Sequence, residues 1–142
     1  MKAIAEVLKK KGNKVFSVNS ESSVFDAIKI MASNKISSLL IMDDDKLLGI
    51  ITERDYAWKV ILMGKASKTT KVKEIMTEDI LYVKPSETVE ECMALMTEKR
   101  IRHLPVMEND KLIGLVSIGD LVKALIEHQK FIIKQLEHYL HN

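Results

Sequence analysis

Gly49-Ile50-Ile51-Thr52-Glu53-Arg54-Asp55 is written twice, for sixty-five residues further on the chain reads Gly114-Leu115-Val116-Ser117-Ile118-Gly119-Asp120. In each copy a glycine opens a short apolar run, a hydroxyl residue closes it, and an aspartate follows three positions later. That order predicts a strand handing over to a helix. The handover admits two readings. Thr52 and Ser117 suit a helix N-cap, where a side-chain oxygen takes up a free backbone amide. The same pairing suits a sugar: a hydroxyl donates and accepts while an ionised carboxylate only accepts, which matches a vicinal diol such as ribose. Hydrogen bonds of that charge-assisted kind are worth roughly 1.5–3 kcal/mol each.

Working outward, Val15 to Tyr56 aligns without a gap on Ile80 to Leu121, with identities that include Val18/Val83, Met31/Met96, Leu39/Leu104, Gly49/Gly114 and Asp55/Asp120. In the first copy Val15–Val18 is expected to be a strand. A helix from Val24 follows, with Ser23 and Asp26 forming a capping box, then strands at Ile36–Met42 and Leu47–Thr52. Tyr56 to Met63 continues the closing helix, and Gly64 to Thr70 is a linker. A weaker echo joins the lead-in Ile4-Ala5-Glu6-Val7-Leu8, part of an expected helix from Met1 to Leu8, to Val72-Lys73-Glu74-Ile75-Met76. The fold class is α/β (α+β), two β-α-β-β-α repeats. Units this small need a partner for their apolar faces, so the copies are expected to pack about a pseudo-twofold axis. In sequence order the division is 1–70, 71–127 and a helical extension at 128–142. Leu121 to Leu140 carries an apolar stripe through Leu125, Ile132, Leu136 and Tyr139, more than a small domain covers alone. That stripe predicts packing against a second copy, as a homodimer.

Composition narrows the function. The chain has 142 residues, 46% of them hydrophobic and 30% charged, and its 22 basic and 20 acidic side chains give a formal charge of +2. So even a balance argues against a nucleic-acid binder. No apolar run is long enough to span a membrane, no signal-peptide core opens the chain, and Cys92 is the single cysteine, so a cytoplasmic location is expected. Val89, Met93 and Met96 at helical spacing mark Cys92 as a buried structural thiol. Asp43-Asp44-Asp45 lacks the glycine and terminal glutamate of a calcium loop and reads as a hairpin turn. Lys9-Lys10-Lys11 before Gly12 reads either as a solvated helix end or as cations leaning over a bound phosphate. No Walker loop, nucleophile elbow or HExxH motif is present, so no enzyme is expected.

A doubled unit ending in Gly-apolar-apolar-Ser/Thr-x-x-Asp resembles the cystathionine-beta-synthase (CBS) domain, here as a stand-alone tandem pair. Ile101-Arg102-His103-Leu104-Pro105-Val106 is similar to that family's second strand, and Lys71 to Thr77 to its lead-in. The resemblance implies an adenine-nucleotide sensor of energy or redox state, with AMP, ADP, ATP, NAD or NADH in clefts between repeats. It also implies a disc-shaped homodimer and an unidentified regulated protein. One site would use Thr52, Arg54 and Asp55 with Ile80, Ile101, Arg102, His103 and Pro105 opposite. The other would use Ser117 and Asp120 with Val15, Phe16, Ile36, Ser37 and Ser38 opposite. Arg54 and Arg102 favour phosphate at the Asp55 site, whereas Gly119 stands where Arg54 does in the other copy. A neutral, nucleoside-like ligand, or none, is therefore expected at Asp120. Trp58 occupies a position that is often arginine in the similar subgroup. The alternative is a scaffold that dimerises without a ligand.

Overall fold

The computed structural model describes residues 2–141, so Met1, the expected first residue of the opening helix, and Asn142 lie outside the described residues. The elements are α1 (Ile4–Lys11), β1 (Ser17–Val18), α2 (Val24–Asn34), β2 (Ser38–Asp43), β3 (Lys46–Thr52), α3 (Glu53–Tyr56), α4 (Val72–Ile75), α5 (Val89–Lys99), β4 (His103–Glu108), β5 (Lys111–Ser117) and α6 (Ile118–His141). A π-helical stretch, Ala57–Ile61, continues α3. The chain divides into two compact units, Val15–Ile80 and the remainder, which joins the N-terminal segment up to Lys14 to the chain from Leu81 onward.

In the Val15–Ile80 unit, β1 pairs parallel with β2, and β2 pairs antiparallel with β3 from Ser38↔Thr52 to Asp43↔Lys46, with a bulge between Ile41 and Met42. The hairpin turns at Asp44, whose φ is 54°. Asp43 is taken up by Ser20, which donates its backbone N–H at 3.0 Å and its hydroxyl at 2.6 Å. Ser23 caps α2 by accepting from the Asp26 N–H at 3.1 Å, and Lys35 ends it in the left-handed conformation. Val24, Ala27 and Met31 of α2 pack on Leu39, Ile41 and Ile51 of the sheet with Val60, Val72 and Ile75.

The other unit repeats the hairpin of this build residue for residue. β4 and β5 pair from His103↔Ser117 to Glu108↔Lys111 with the bulge between Val106 and Met107, each position sixty-five residues beyond its counterpart. Thr88 caps α5 within a full capping box with Glu91, and Arg100 ends it left-handed, as Lys35 does for α2. Val89, Cys92 and Met96 of α5 meet Leu104, Val106 and Val116 of the hairpin and Leu121 of α6.

Sequence order is broken by the lead-ins, which are exchanged. The N-terminal α1 packs with the second copy: Ile4, Val7 and Leu8 join its core, and the Ile4 N–H donates to the Glu87 carbonyl at 2.8 Å. Conversely α4, written before the second copy, closes the core of the first, and Thr77 and Ile50 exchange backbone hydrogen bonds at 2.9 and 3.1 Å. The motif glycines explain the fit. A Cβ on Gly114 would stand 2.7 Å from Leu8 Cδ2, and one on Gly49 would stand 2.6 Å from Met76 Sδ. Leu8 and Met76 are the last residues of the two echoing lead-ins, so equivalent side chains fill equivalent glycine hollows. Only a residue without Cβ admits them.

Three elements differ from expectation. The opening strand of the first copy shrinks to Ser17–Val18, and in the second copy to an isolated parallel bridge, Val83↔Val106. Asn19 starts a turn at once, its carbonyl accepting the Ser22 N–H at 3.1 Å, which leaves no length for a ladder. The expected strand from Ile36 begins at Ser38, because the Ile36 N–H is used to close α2 on the Met31 carbonyl at 3.0 Å. The helix from Tyr56 widens into the π stretch, with Val60 buried in the core.

Candidate functional site

Both motif aspartates lie on the first turn of the helix that follows the hairpin's second strand. At Thr52 the structure shows the helix-cap reading of the handover. The Thr52 hydroxyl oxygen accepts the Asp55 N–H at 3.2 Å, and the Asp55 carboxylate accepts the Thr52 N–H at 3.0 Å and its hydroxyl at 3.2 Å. This capping box holds Asp55 at 9% exposure. Its other oxygen, Oδ1, meets Lys59 Nζ at 3.0 Å, and Lys59 also donates to the Ile75 carbonyl at 3.0 Å.

At Ser117 the same box recurs: the Ser117 N–H donates to Asp120 Oδ2 at 2.8 Å, and the Asp120 N–H to the Ser117 hydroxyl oxygen at 3.2 Å. The cation differs in origin. Lys11, the last residue of α1, places Nζ 2.6 Å from Asp120 Oδ2 and 2.7 Å from the Leu115 carbonyl. Burial pushes the Asp120 carboxyl up, but the Lys11 ammonium and the Ser117 N–H outweigh it and hold it below the usual carboxylate range. Each motif carboxylate thus carries a lysine that also ties it to a backbone carbonyl.

The structure places the expected site residues in two groups. Val15, Phe16, Ile36, Ser37, Ser38, Thr52, Arg54, Asp55 and Ile80 belong to the Val15–Ile80 unit. There Ser38 pairs with Thr52, and the Glu53 N–H donates to the Ser37 carbonyl at 3.2 Å. A cavity of about 370 Å³ opens here, lined by Ile28, Met31, Ala32, Lys35, Ile36, Ser37 and Glu53, within the size range of small-molecule sites. Arg54 lies over the Trp58 ring, 5.4 Å from its centroid, so Trp58 orients that arginine in a cation–π contact. Ile101, Arg102, His103, Pro105, Ser117 and Asp120 belong to the other unit. His103 pairs with Ser117, and the Ile118 N–H donates to the Arg102 carbonyl at 2.8 Å. Burial lowers the His103 pKa, and the positive charges of Lys11 and Arg102 lower it further against the opposing pull of Asp120.

Sequence reasoning missed Lys59 as a partner of Asp55, although its i+4 spacing on a helix was a usable signal. It left Lys11 between two readings, and the structure puts its ammonium on a carboxylate 109 residues away. No local pattern announces a contact of that separation. Lys11 stands to Asp120 as Lys59 stands to Asp55, where the repeat alignment offers only Ala124, and Gly119 still leaves this side without a counterpart of Arg54.

Comparison with known proteins agrees with this architecture. The model of the CBS domain matches residues 4–60 and 72–127. The chain is 38% identical over 146 residues to the mitochondrial CBS domain-containing protein CBSX3 of Arabidopsis thaliana, covering 96% of this chain and 71% of that protein. Longer curated relatives are matched over 21% of their length. Among solved structures, a putative signal-transduction protein with CBS domains from Burkholderia ambifaria MC40-6 is 52% identical with a TM-score of 0.86, covering 89% of this chain and 96% of that one. The CBS domain pair of protein MJ0100, solved in complex with 5′-methylthioadenosine and S-adenosyl-L-methionine, is 26% identical with a TM-score of 0.76, covering 87% and 98%. The chain belongs to the CBS domain family, as a tandem pair. No helix among the described residues is long and apolar enough to cross a membrane.

Proposed function

We propose that the protein is a regulatory module that binds adenine nucleotides at its two motif aspartates and acts as a homodimer. It reports energy or redox state through AMP-like or NAD-like ligands to a separate protein. The observation that carries this reading is the paired build at Asp55 and Asp120. Each is a carboxylate beside a hydroxyl, buried at Asp55 and half-buried at Asp120, with a cation in contact, at the head of a helix. A diol and a phosphate are the groups such a set recognises. The complex of the related pair with two adenosine-containing ligands supports the same ligand class. Regulation then follows from differential affinity, the ligand stabilising whichever arrangement it binds better.

The homodimer rests on α6. Of its 24 residues only Leu121 and Ala124 are buried, while Phe131, Leu136, Tyr139 and Leu140 are 57–81% exposed along the apolar stripe. A cytoplasmic location accompanies this reading, with Cys92 as a reduced, buried thiol.

One observation favours the scaffold. Both aspartates already serve capping boxes and ion pairs, so the motif has a structural task without a ligand. A thermal-stability series with AMP, ADP, ATP, NAD, NADH and S-adenosylmethionine separates the two. A binder at a hundredfold excess over its Kd adds about 2.7 kcal/mol. A rise in Tm with at least one of these supports the sensor, whereas flat melting with all of them on folded dimer leaves the scaffold.

A further inference from the structure

We propose that Lys11 sets ligand choice at the Asp120 half-site, admitting an adenosine that carries a phosphate and turning away one that does not. This inference rests on the nucleotide-binding reading above and names the ligand class for one of its two carboxylates.

Asp120 Oδ2 takes both the Ser117 N–H at 2.8 Å and the Lys11 ammonium at 2.6 Å. A ribose diol seeking that carboxylate competes with a charged donor already in place. If the diol displaces Lys11, a cation whose side chain is only 35% exposed loses its partner and keeps one hydrogen bond, to the Leu115 carbonyl. A neutral nucleoside gives that ammonium nothing in return. A phosphate does, because it offers anionic oxygens to which the flexible four-carbon stem can swing.

The surroundings favour the same outcome. Lys11 and Arg102 both act electrostatically on His103, against the one carboxylate of Asp120, so the cluster holds more positive than negative charge. Lys10, the residue before Lys11, is already engaged with Glu127 at 2.7 Å. Lys11 is therefore the cation of this helix end that a ligand at Asp120 recruits. The Asp55 half-site is built otherwise. Its lysine sits four residues on along the same helix and bonds the other carboxylate oxygen, leaving the capping interactions on Oδ2 untouched. The selection expected at Asp120 need not hold there.

The test is calorimetric titration of the 142-residue chain with AMP, adenosine and 5′-methylthioadenosine, read on the binding event that Asp120→Asn removes. The parent should prefer AMP to both uncharged ligands by about tenfold to a hundredfold, the range of one charge-assisted hydrogen bond. Lys11→Met, which keeps the apolar stem, should cut that preference about tenfold or more while adenosine binds as well as before or better. Lys11→Arg should retain it. A preference unchanged in folded Lys11→Met, or a parent that binds adenosine as tightly as AMP at this event, overturns the proposal while leaving nucleotide binding intact. A parent that binds none of the three overturns the role given to Lys11, and the same titration with ATP, NAD and S-adenosylmethionine then decides separately whether the nucleotide reading falls with it.

Discussion

Substituting Gly114 by alanine tests the exchanged lead-ins at the point where they matter. The added methyl would lie 2.7 Å from Leu8 Cδ2, 2.9 Å from Cδ1 and 3.4 Å from Cγ, when carbon–carbon contacts are comfortable only at about 3.5–4.0 Å. Leu8 is 4% exposed within the core formed by Ile4, Val7 and the second hairpin, so it has no open side to turn toward. Overpacking of this kind costs about 1–3 kcal/mol. Leu8→Ala alone should cost about 2–5 kcal/mol, because it empties a buried site. Combining them removes the clash, since both δ-methyl groups are gone and the new methyl fills part of the space. The double variant should therefore be more stable than the sum of the singles by about 1–3 kcal/mol, a coupling well above the ~0.5 kcal/mol scatter of independent sites. Urea unfolding followed at the equilibrium midpoint, with unchanged m-values, measures all corners of the cycle. Additivity within that scatter would refute the placement of α1 on the second hairpin. The mirror pair should behave differently in an instructive way. Met76 Sδ lies 2.6 Å from a Gly49 Cβ, but the Thr77 carbonyl oxygen stands at 3.0 Å. That carbonyl is fixed by the Ile50 N–H. Met76→Ala should accordingly relieve only part of the Gly49→Ala penalty.

Other consequences follow from single residues. Glu21 is held down to about 2 by Lys71 and Lys73, so its folded pKa lies below its unfolded one. Its stabilising contribution is present above about pH 4.5 and is lost as pH falls toward 2. Acid titration of stability should flatten over that window in Glu21→Gln, with a small amplitude because the carboxylate is exposed, and an unchanged profile would contradict the pairing. Burial, with Glu87 and Glu91 nearby, pushes the Cys92 thiol up to about 11, so at pH 8 a thiol reagent should label it at the rate of unfolding. Labelling as fast as a free thiol would show that α5 does not shield it. Leu136→Asp, in the exposed stripe of α6, should convert a sedimenting dimer to monomer without lowering the intrinsic Tm of each unit. A dimer that survives the charge would move the interface elsewhere.

Much of the fold was legible in the chain because its signals are local. The Thr52/Asp55 and Ser117/Asp120 boxes, the cap at Ser23 and the hairpin closed at Asp44 depend on residues within four positions of one another. The gapless alignment carried the register of one hairpin onto the other, bulge included. Illegible features depend on distant partners. Nothing in Ile4 to Leu8 says that its apolar face belongs over Gly114 rather than over Gly49, since each glycine takes the last apolar side chain of a similar lead-in, Leu8 or Met76. Lys11 is one of three successive lysines, and only the direction in which α1 leaves Leu8 picks it out for Asp120. The shortness of β1 was hidden for a related reason, because Val15 to Val18 has strand-like composition while the turn at Asn19 limits its pairing. As for the site, the motif named both carboxylates and their hydroxyls. It did not reveal that each would already hold a lysine.

The central claim is that these carboxylates bind adenine nucleotides, and calorimetric titration of AMP, ATP and NAD into the parent, Asp55→Asn and Asp120→Asn tests it most directly. The asparagine variants keep side-chain volume and a carbonyl acceptor for the cap while removing the charge. We predict saturable binding to the parent, with a component lost in each variant and with circular dichroism unchanged. Binding that persists unaltered when both aspartates are replaced together, or no heat of binding with any of the three nucleotides on folded protein, would contradict it.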